Sequence, residues 1–294
     1  MGWFLTAIAL GMATGTFTYA MTQGVFAHSV FERSNYRDHT LPTAVGVVIG
    51  LAMIFAAAAV QLLRAAAFSF SADVAQTIGD KLGNSLMVGL FAVPFVMLGL
   101  LDDLVGYGQS GGFRGHLTGI RHGEFSSGAL KLVGGACLGI LGAVIWGSSN
   151  NVWDLLRDGA MLALWANVGN LFDRAPGRAS KVCLFATVFI FALANATDGV
   201  MPEGGIVVLF GVCLALLWPD LRERCMLGDA GSNVLGAMVG LAALTSFGTT
   251  GRWVALAIAL FLNLASEWVS FSKLINGSPV LSYLDRAGAP HRSR

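Results

Sequence analysis

Residues 83–103 read GNSLMVGLFAVPFVMLGLLDD, nineteen residues without a charge followed by two adjacent aspartates. A bilayer core about 30 Å thick takes about 20 apolar residues to cross as a helix. The stretch 83–101 therefore predicts a membrane span that delivers Asp102 and Asp103 to its boundary. Eight further apolar runs of comparable length flank it, at 2–22, 42–63, 129–148, 152–171, 180–198, 204–219, 231–249 and 252–272. The expected fold is all-α: a polytopic integral membrane protein of about nine transmembrane helices, one domain over 1–294. The stretch 64–82, with Asp73, Asp80 and Lys81, reads as a loop with some amphipathic helix.

Composition agrees with lipid as the solvent. Apolar residues make up 55% of the chain and charged residues 12%, where a soluble domain carries about 25% charge. A net charge of +1 gives no electrostatic basis for binding nucleic acid. Cys137, Cys183, Cys213 and Cys225 are scattered through apolar stretches with no paired spacing, and read as packing residues rather than disulfide or metal ligands. The first run has no basic start and no convincing cleavage site, so it reads as a retained span. Gly135-x-x-x-Gly139 and Gly236-x-x-x-Gly240 are spacings that let membrane helices approach closely.

Nine spans fix which loops share a face. Segments 23–41, 102–128, 172–179, 220–230 and 273–294, with the adjoining helix edges, hold 14 of the 18 Lys and Arg and all five histidines: His28, His39, His116, His122 and His291. The other four cations are Arg64, Lys81, Arg157 and Arg252. The positive-inside rule then predicts an external N-terminus and a cytoplasmic C-terminus.

Three polar clusters stand at that basic face. Asp102 and Asp103 repel one another and call for a cation or strong donors. The fifth span ends Asn167-Val168-Gly169-Asn170-Leu171-Phe172-Asp173-Arg174-Ala175-Pro176-Gly177-Arg178. Helical spacing puts Asn167, Asn170 and, a turn on, Asp173 or Arg174 near one face, while Arg174, Arg178 and Lys181 suit phosphate oxygens. Before the eighth span comes Met226-Leu227-Gly228-Asp229-Ala230-Gly231-Ser232-Asn233, a tight turn into a helix N-terminus. Free N–H groups there favour an anion, and Asp229 can hold a divalent metal. Oxygen donors without a Cys/His set favour Mg²⁺ or Mn²⁺, and together the clusters suit a metal–pyrophosphate complex.

These clusters, in this order at these helix ends, resemble the polyprenyl-phosphate N-acetylhexosamine-1-phosphate transferase family, which includes the phospho-MurNAc-pentapeptide translocase and GlcNAc-1-phosphate transferases. The first basic loop, Asn35-Tyr36-Arg37-Asp38-His39-Thr40-Leu41-Pro42-Thr43-Ala44-Val45-Gly46, is similar to the family's Pro-Thr segment, and the resemblance runs from about residue 35 to 270. It implies Mg²⁺-dependent transfer of a sugar-1-phosphate from a UDP-sugar to polyprenyl (undecaprenyl) phosphate, with release of UMP, at the cytoplasmic face of a bacterial inner membrane. By the resemblance, Asp102, Asp103 and Asp173 are catalytic, and Asp229 and Asn170 hold Mg²⁺. Asn167, Arg174, Arg178, Lys181, Thr43, Gly231 and Ser232 contact substrate, and the chain pairs into a homodimer as relatives often do. The sequence departs from the pattern at Pro176, where the family has a second aspartate, and at Gly106, where some translocases have lysine. The tail, Ala289-Pro290-His291-Arg292, lacks the family's His-rich motif. These departures keep open a catalytically silent relative that binds lipid phosphate. A transporter of lipid-linked anions is the other alternative, against which stands the lack of an internal repeat.

Overall fold

The computed structural model describes residues 2–105, 127–147, 151–197, 199–200 and 202–289. Gly106, Arg114, His116, Arg121, His122, Pro290, His291, Arg292 and Arg294, and most of the 102–128 loop, lie outside the described residues. The apolar runs are helices: α1 (Gly2–Phe26), α2 (Val47–Phe68), α3 (Ala72–Leu82), α4 (Ser85–Val105), α5 (Ser127–Trp146) and α6 (Val152–Phe172). Then follow α7 (Arg178–Ala196), α8 (Gly204–Leu221), α9 (Gly228–Ser246) and α10 (Thr249–Ser266), and two short tail helices, α11 (Phe271–Gly277) and α12 (Pro279–Arg286).

Seven segments are long and apolar enough to cross a membrane: α1, α2, the α3–α4 stretch Ala72–Val105, Gly128–Trp146, α7, α8 and α10. The chain is a multi-pass membrane protein of the all-α class. The remaining two expected segments are also helical, α6 with 21 residues and α9 with 19. They fall outside the seven for a visible reason: α6 carries Asp154, Arg157 and Asp158, and α9 is dominated by Gly, Ala and Ser.

Helix α9 is the centre. Its residues from Ala230 to Leu244 are all buried, and α4, α6 and α7 pack around it, with contacts to α2, α5, α8 and α10. Small residues make this enclosure feasible, because lipid offers helices no hydrophobic gain for associating and tight packing must supply the attraction. A Cβ on Gly236 would collide with the Trp165 carbonyl oxygen, and one on Gly169 with that of Ser232. Helix α1 reaches α8 in the same manner, through Gly11 and Gly211. The outward sides of α1, α5 and α10 carry exposed Leu5, Phe17, Val133, Leu141, Ile258 and Phe261. A large exposed apolar surface of this kind is a lipid contact.

The 64–82 stretch is more ordered than expected. Helix α2 continues to Phe68, and Ser71 Oγ caps α3 by accepting from Val74 N at 3.4 Å. Two short strands interrupt the helical pattern in the first loop, β1 (Glu32–Ser34) and β2 (Thr40–Pro42), paired antiparallel with Arg33 opposite Leu41. The Asn35 side chain closes the hairpin by accepting from Arg37 N at 2.8 Å and His39 N at 3.0 Å. The hairpin exit is tied to the start of α9: Met226 N donates to Pro42 O at 2.7 Å, and Gly46 N to Leu227 O at 2.9 Å.

The charged groups of α6 and α10 away from the basic face neutralise one another. The fully buried Asp158 accepts from Arg157 Nε at 2.8 Å and from an Arg252 guanidinium nitrogen at 3.0 Å, and Arg157 also reaches Asp154 at 2.7 Å. All four cysteines are free thiols, three of them buried, and Cys137 is exposed.

The two small-xxx-small motifs differ in what they touch. Gly139 abuts the Gly159 carbonyl, whereas a Cβ on Gly135 would meet open space. Gly236→Ala is therefore expected to overpack the α6–α9 contact and cost about 1–3 kcal/mol. Gly135→Ala is expected to be neutral, or to gain up to about 1 kcal/mol of helix propensity. Thermal unfolding of both variants in the same detergent checks this.

Candidate functional site

Because α4, α6 and α8 end, and α5 and α9 begin, at one end of the bundle, their terminal polar residues converge there. Asp102 and Asp103 come from the last turn of α4, Lys131 from the first turns of α5, and Asn170 from the last turn of α6. Asp173 follows α6 directly, Asp220 closes α8 and Asp229 opens α9.

The N-terminus of α9 already has its anion. Both carboxylate oxygens of Asp103 are used there, one accepting from Asp229 N at 2.9 Å and the other from Ala230 N at 3.0 Å. This is an N-cap supplied by another helix, satisfying donors that the first turn cannot pair internally. Gly228 makes room for it: its φ is +68°, and a Cβ would press on the Asp103 carboxylate. Gly99, one turn earlier on α4, lets the Asp229 backbone approach to contact.

Asp102 and Asp229 face a lysine instead. The Lys131 ammonium donates to Asp229 Oδ2 in a close ion pair and lies 3.8 Å from Asp102 Oδ2. Turned so that both ends are satisfied, the Asn170 amide donates to Asp229 Oδ1 at 2.8 Å while its oxygen accepts from Lys131. The three charged side chains are each 15–22% exposed, so the group is screened from water yet reachable. Lys131 thus stands where the oxygens of Asp102, Asp229 and Asn170 meet. Those are hard donors of the kind Mg²⁺ takes, and the residues present fit such an ion. Among the described residues, no three Asp, Glu, His or Cys side chains by themselves form a metal-binding group.

Asp173 and Asp220 form the rear of the cluster. The buried Asp220 accepts from Gly177 N at 3.0 Å, fixing the turn before α7, where Gly177 has φ +68°. Desolvation holds the Asp173 carboxyl well above its ordinary range, and the neighbouring charges of Asp220, Asp229 and Asp103 push it the same way, while Lys131 opposes them.

Several sequence candidates are engaged elsewhere. Arg178 makes a two-pronged ion pair with Asp285 of α12, at 2.7 and 2.9 Å, and a third bond to Ser272 Oγ at 2.8 Å. Lys181 donates to the carbonyls of Leu284 and Asp285 at 3.2 and 2.7 Å. Arg178 thus secures the tail, and Lys181 does so while lying near enough to Asp220 to attract its charge. Asn167 points away from Asn170 and pairs with Asn263 of α10 at 2.6 Å. Arg174 is exposed beyond the end of α6. Thr43 is buried, its amide bonded to Phe31 O at 2.7 Å. Gly231 packs against Gly46, and Ser232 is fully buried with its hydroxyl unpaired.

Lys131 and Asp220 are the members that sequence reasoning missed. Lys131 counted only as a topogenic charge at a helix edge, and Asp220 follows Trp218-Pro219 at the end of an apolar run. Each occupies the helix-end position that made Asp102 and Asp103 candidates. A scan against protein-family models finds no match for this chain, and neither does a search of the curated proteins.

Two outcomes test the geometry. Asp103→Ala removes both accepted bonds and leaves two donors at the start of α9 unpaired, for an expected loss of about 1–3 kcal/mol; Asp102→Ala should cost clearly less. Thermal unfolding in detergent separates them. Asp173 has a folded-state pKa above its unfolded value, so its contribution to stability is full at low pH. That contribution falls as pH rises past 3.8 toward the raised value. Asp173→Asn should flatten that part of the stability–pH curve and leave the variant the more stable above it.

Proposed function

We propose that the chain is a Mg²⁺-dependent phosphoglycosyl transferase, moving a sugar-1-phosphate from a UDP-sugar onto a polyprenyl (undecaprenyl) phosphate and releasing UMP. The observation that carries this is the meeting of Asp102, Asp229, Asn170 and Lys131 at one end of an apolar helical bundle. Charged phosphate chemistry at a membrane boundary needs this combination: oxygens for a cation, an ammonium for phosphate, and apolar surface for a lipid tail. The sequence resemblance names the reaction class, and the four residues supply the means.

The finer topology belongs to the same proposal. Helices α6 and α9 cross the bilayer with the other seven segments, giving nine spans, an external N-terminus and a cytoplasmic site. The basic loops collected at the site end favour that orientation. A bacterial inner membrane supplies the lipid.

A phosphate monoester has a second pKa near 6, so at pH 7 the lipid phosphate arrives mostly as a dianionic nucleophile. Its oxygen attacks the phosphorus that bears the sugar. A new P–O bond forms and the bond to the UMP phosphate breaks, UMP leaving with the electron pair. Asp102 takes up the proton from any monoanionic acceptor. Lys131 holds and neutralises phosphate oxygens, which asks it to exchange its Asp229 partner for substrate. Asp229 and Asn170 would hold Mg²⁺, which supplies charge stabilisation for the leaving group. Asp103 positions Asp229 through the α9 cap. A lipid acceptor is supported by the outer side of α6, where Leu156 and Ala160 are exposed and the neighbouring α5 and α10 expose Val133, Leu260 and Leu264.

A catalytically silent relative that binds lipid phosphate is favoured by one observation: Lys131 pairs with the same oxygens that a cation would need. One experiment separates the two. Purified protein is given undecaprenyl phosphate, Mg²⁺ and a panel of UDP-sugars, and UMP is followed. The transferase releases UMP with at least one donor and stops on chelation. Asp229→Asn and Lys131→Met each slow it by about 10²-fold or more, the effect of losing one charge-stabilising group. Binding of undecaprenyl phosphate without UMP release from any donor identifies the silent relative.

A further inference from the structure

Helix α12 is built the reverse of a helix docked on a protein in water. Its polar side faces the protein: Ser278, Ser282 and Asp285 are half-buried, and Asp285 is the group gripped by Arg178 and Lys181. Its outward side is apolar, with Val280 68%, Tyr283 75% and Leu284 55% exposed. The segment leading to it repeats the arrangement. Phe271 stacks on Phe172 at 5.1 Å and Ser272 bonds Arg178, while Trp268, Val269 and Leu274 are left exposed. In water, seven large apolar side chains turned outward along the seventeen residues 268–284, Leu281 among them, would forfeit the gain of burial. In lipid, polar-inward and apolar-outward is the stable order.

We propose that residues 268–284 lie along the membrane interface, with Trp268, Val269, Leu274, Val280, Tyr283 and Leu284 in contact with lipid. The segment is continuous with α10, whose exposed Leu260, Phe261 and Leu264 form the lipid-facing surface directly before it. Trp and Tyr are the residues enriched at headgroup depth, and an amphipathic helix lies flat with its apolar face a few ångströms into the acyl boundary. The ion pair of Arg178 with Asp285 and the Phe172–Phe271 stack then join this interfacial strap to the end of α6, next to Asp173.

The test is spin-label accessibility in nanodiscs holding one copy each. In a Cys137→Ser background, which leaves three buried cysteines, single variants Val280→Cys, Leu284→Cys and Arg286→Cys are labelled with a nitroxide. The first two should be reached by oxygen in preference to a water-soluble nickel complex, and Arg286→Cys by the nickel complex in preference. Equal access of the nickel complex to all three positions overturns the proposal. In detergent, dipolar coupling between copies at positions 280 and 284 would point to a second protein copy as the covering surface. That coupling, found together with nickel access in single-copy nanodiscs, overturns it as well.

Discussion

The rest of the molecule depends on the close approach of α9 to the helices around it. Where a Cβ at Gly236 would strike a carbonyl of α6, and one at Gly99 the backbone of Asp229, the helices meet backbone to backbone. In lipid, such contact is the main source of attraction between helices. It also brings the last turn of α4 near enough for Asp103 to cap α9. The cap in turn sets the position of Asp229, and so the place of every polar group beside it.

The two ends of the bundle handle charge differently. At one end, Asp158 is completely buried between two arginines, with Asp154 completing a balanced set. Such a network is closed and has nothing left to bind. At the other end, Asp102, Asp103, Asp173 and Asp229 gather around Lys131 with Asp220 beside Asp173, while Arg178 is drawn off to the tail and Lys181 is shared between the tail and Asp220. Carboxylates brought together in this way repel, and relief comes by holding a proton, as Asp173 tends to, or by taking a cation. The proposed transferase uses that shortage of positive charge, and the proposed interfacial strap explains where the missing cations went.

The tail also shows how a residue type can mislead. Arginine and lysine near a helix end suit phosphate, but they suit a carboxylate and a helix C-terminus equally well. Arg178 and Lys181 found the latter, because Asp285 returns from more than a hundred residues away to meet them. Asn167 and Asn170 are parted similarly: they lie only about 60° apart around the helix axis, yet one meets Asn263 and the other Asp229.

The sequence alone determined the nine long helices and their approximate limits, though not the first-loop hairpin or the tail helices α11 and α12, since a bilayer core admits only apolar runs of one length and satisfies their backbones only internally. It also placed Asp102, Asp103, Asn170, Asp173 and Asp229 at helix ends, because a charge without a partner is disfavoured inside an apolar run. Which of those residues meet, and on what terms, was decided by tertiary structure. That Asp103 is a cap and Asp102 a partner of lysine, that Lys131 and Asp220 belong to the cluster, and that α12 faces its polar side inward all follow from distances between segments far apart in the chain. Local periodicity carries no information about such distances; the packing of small residues around α9 sets them.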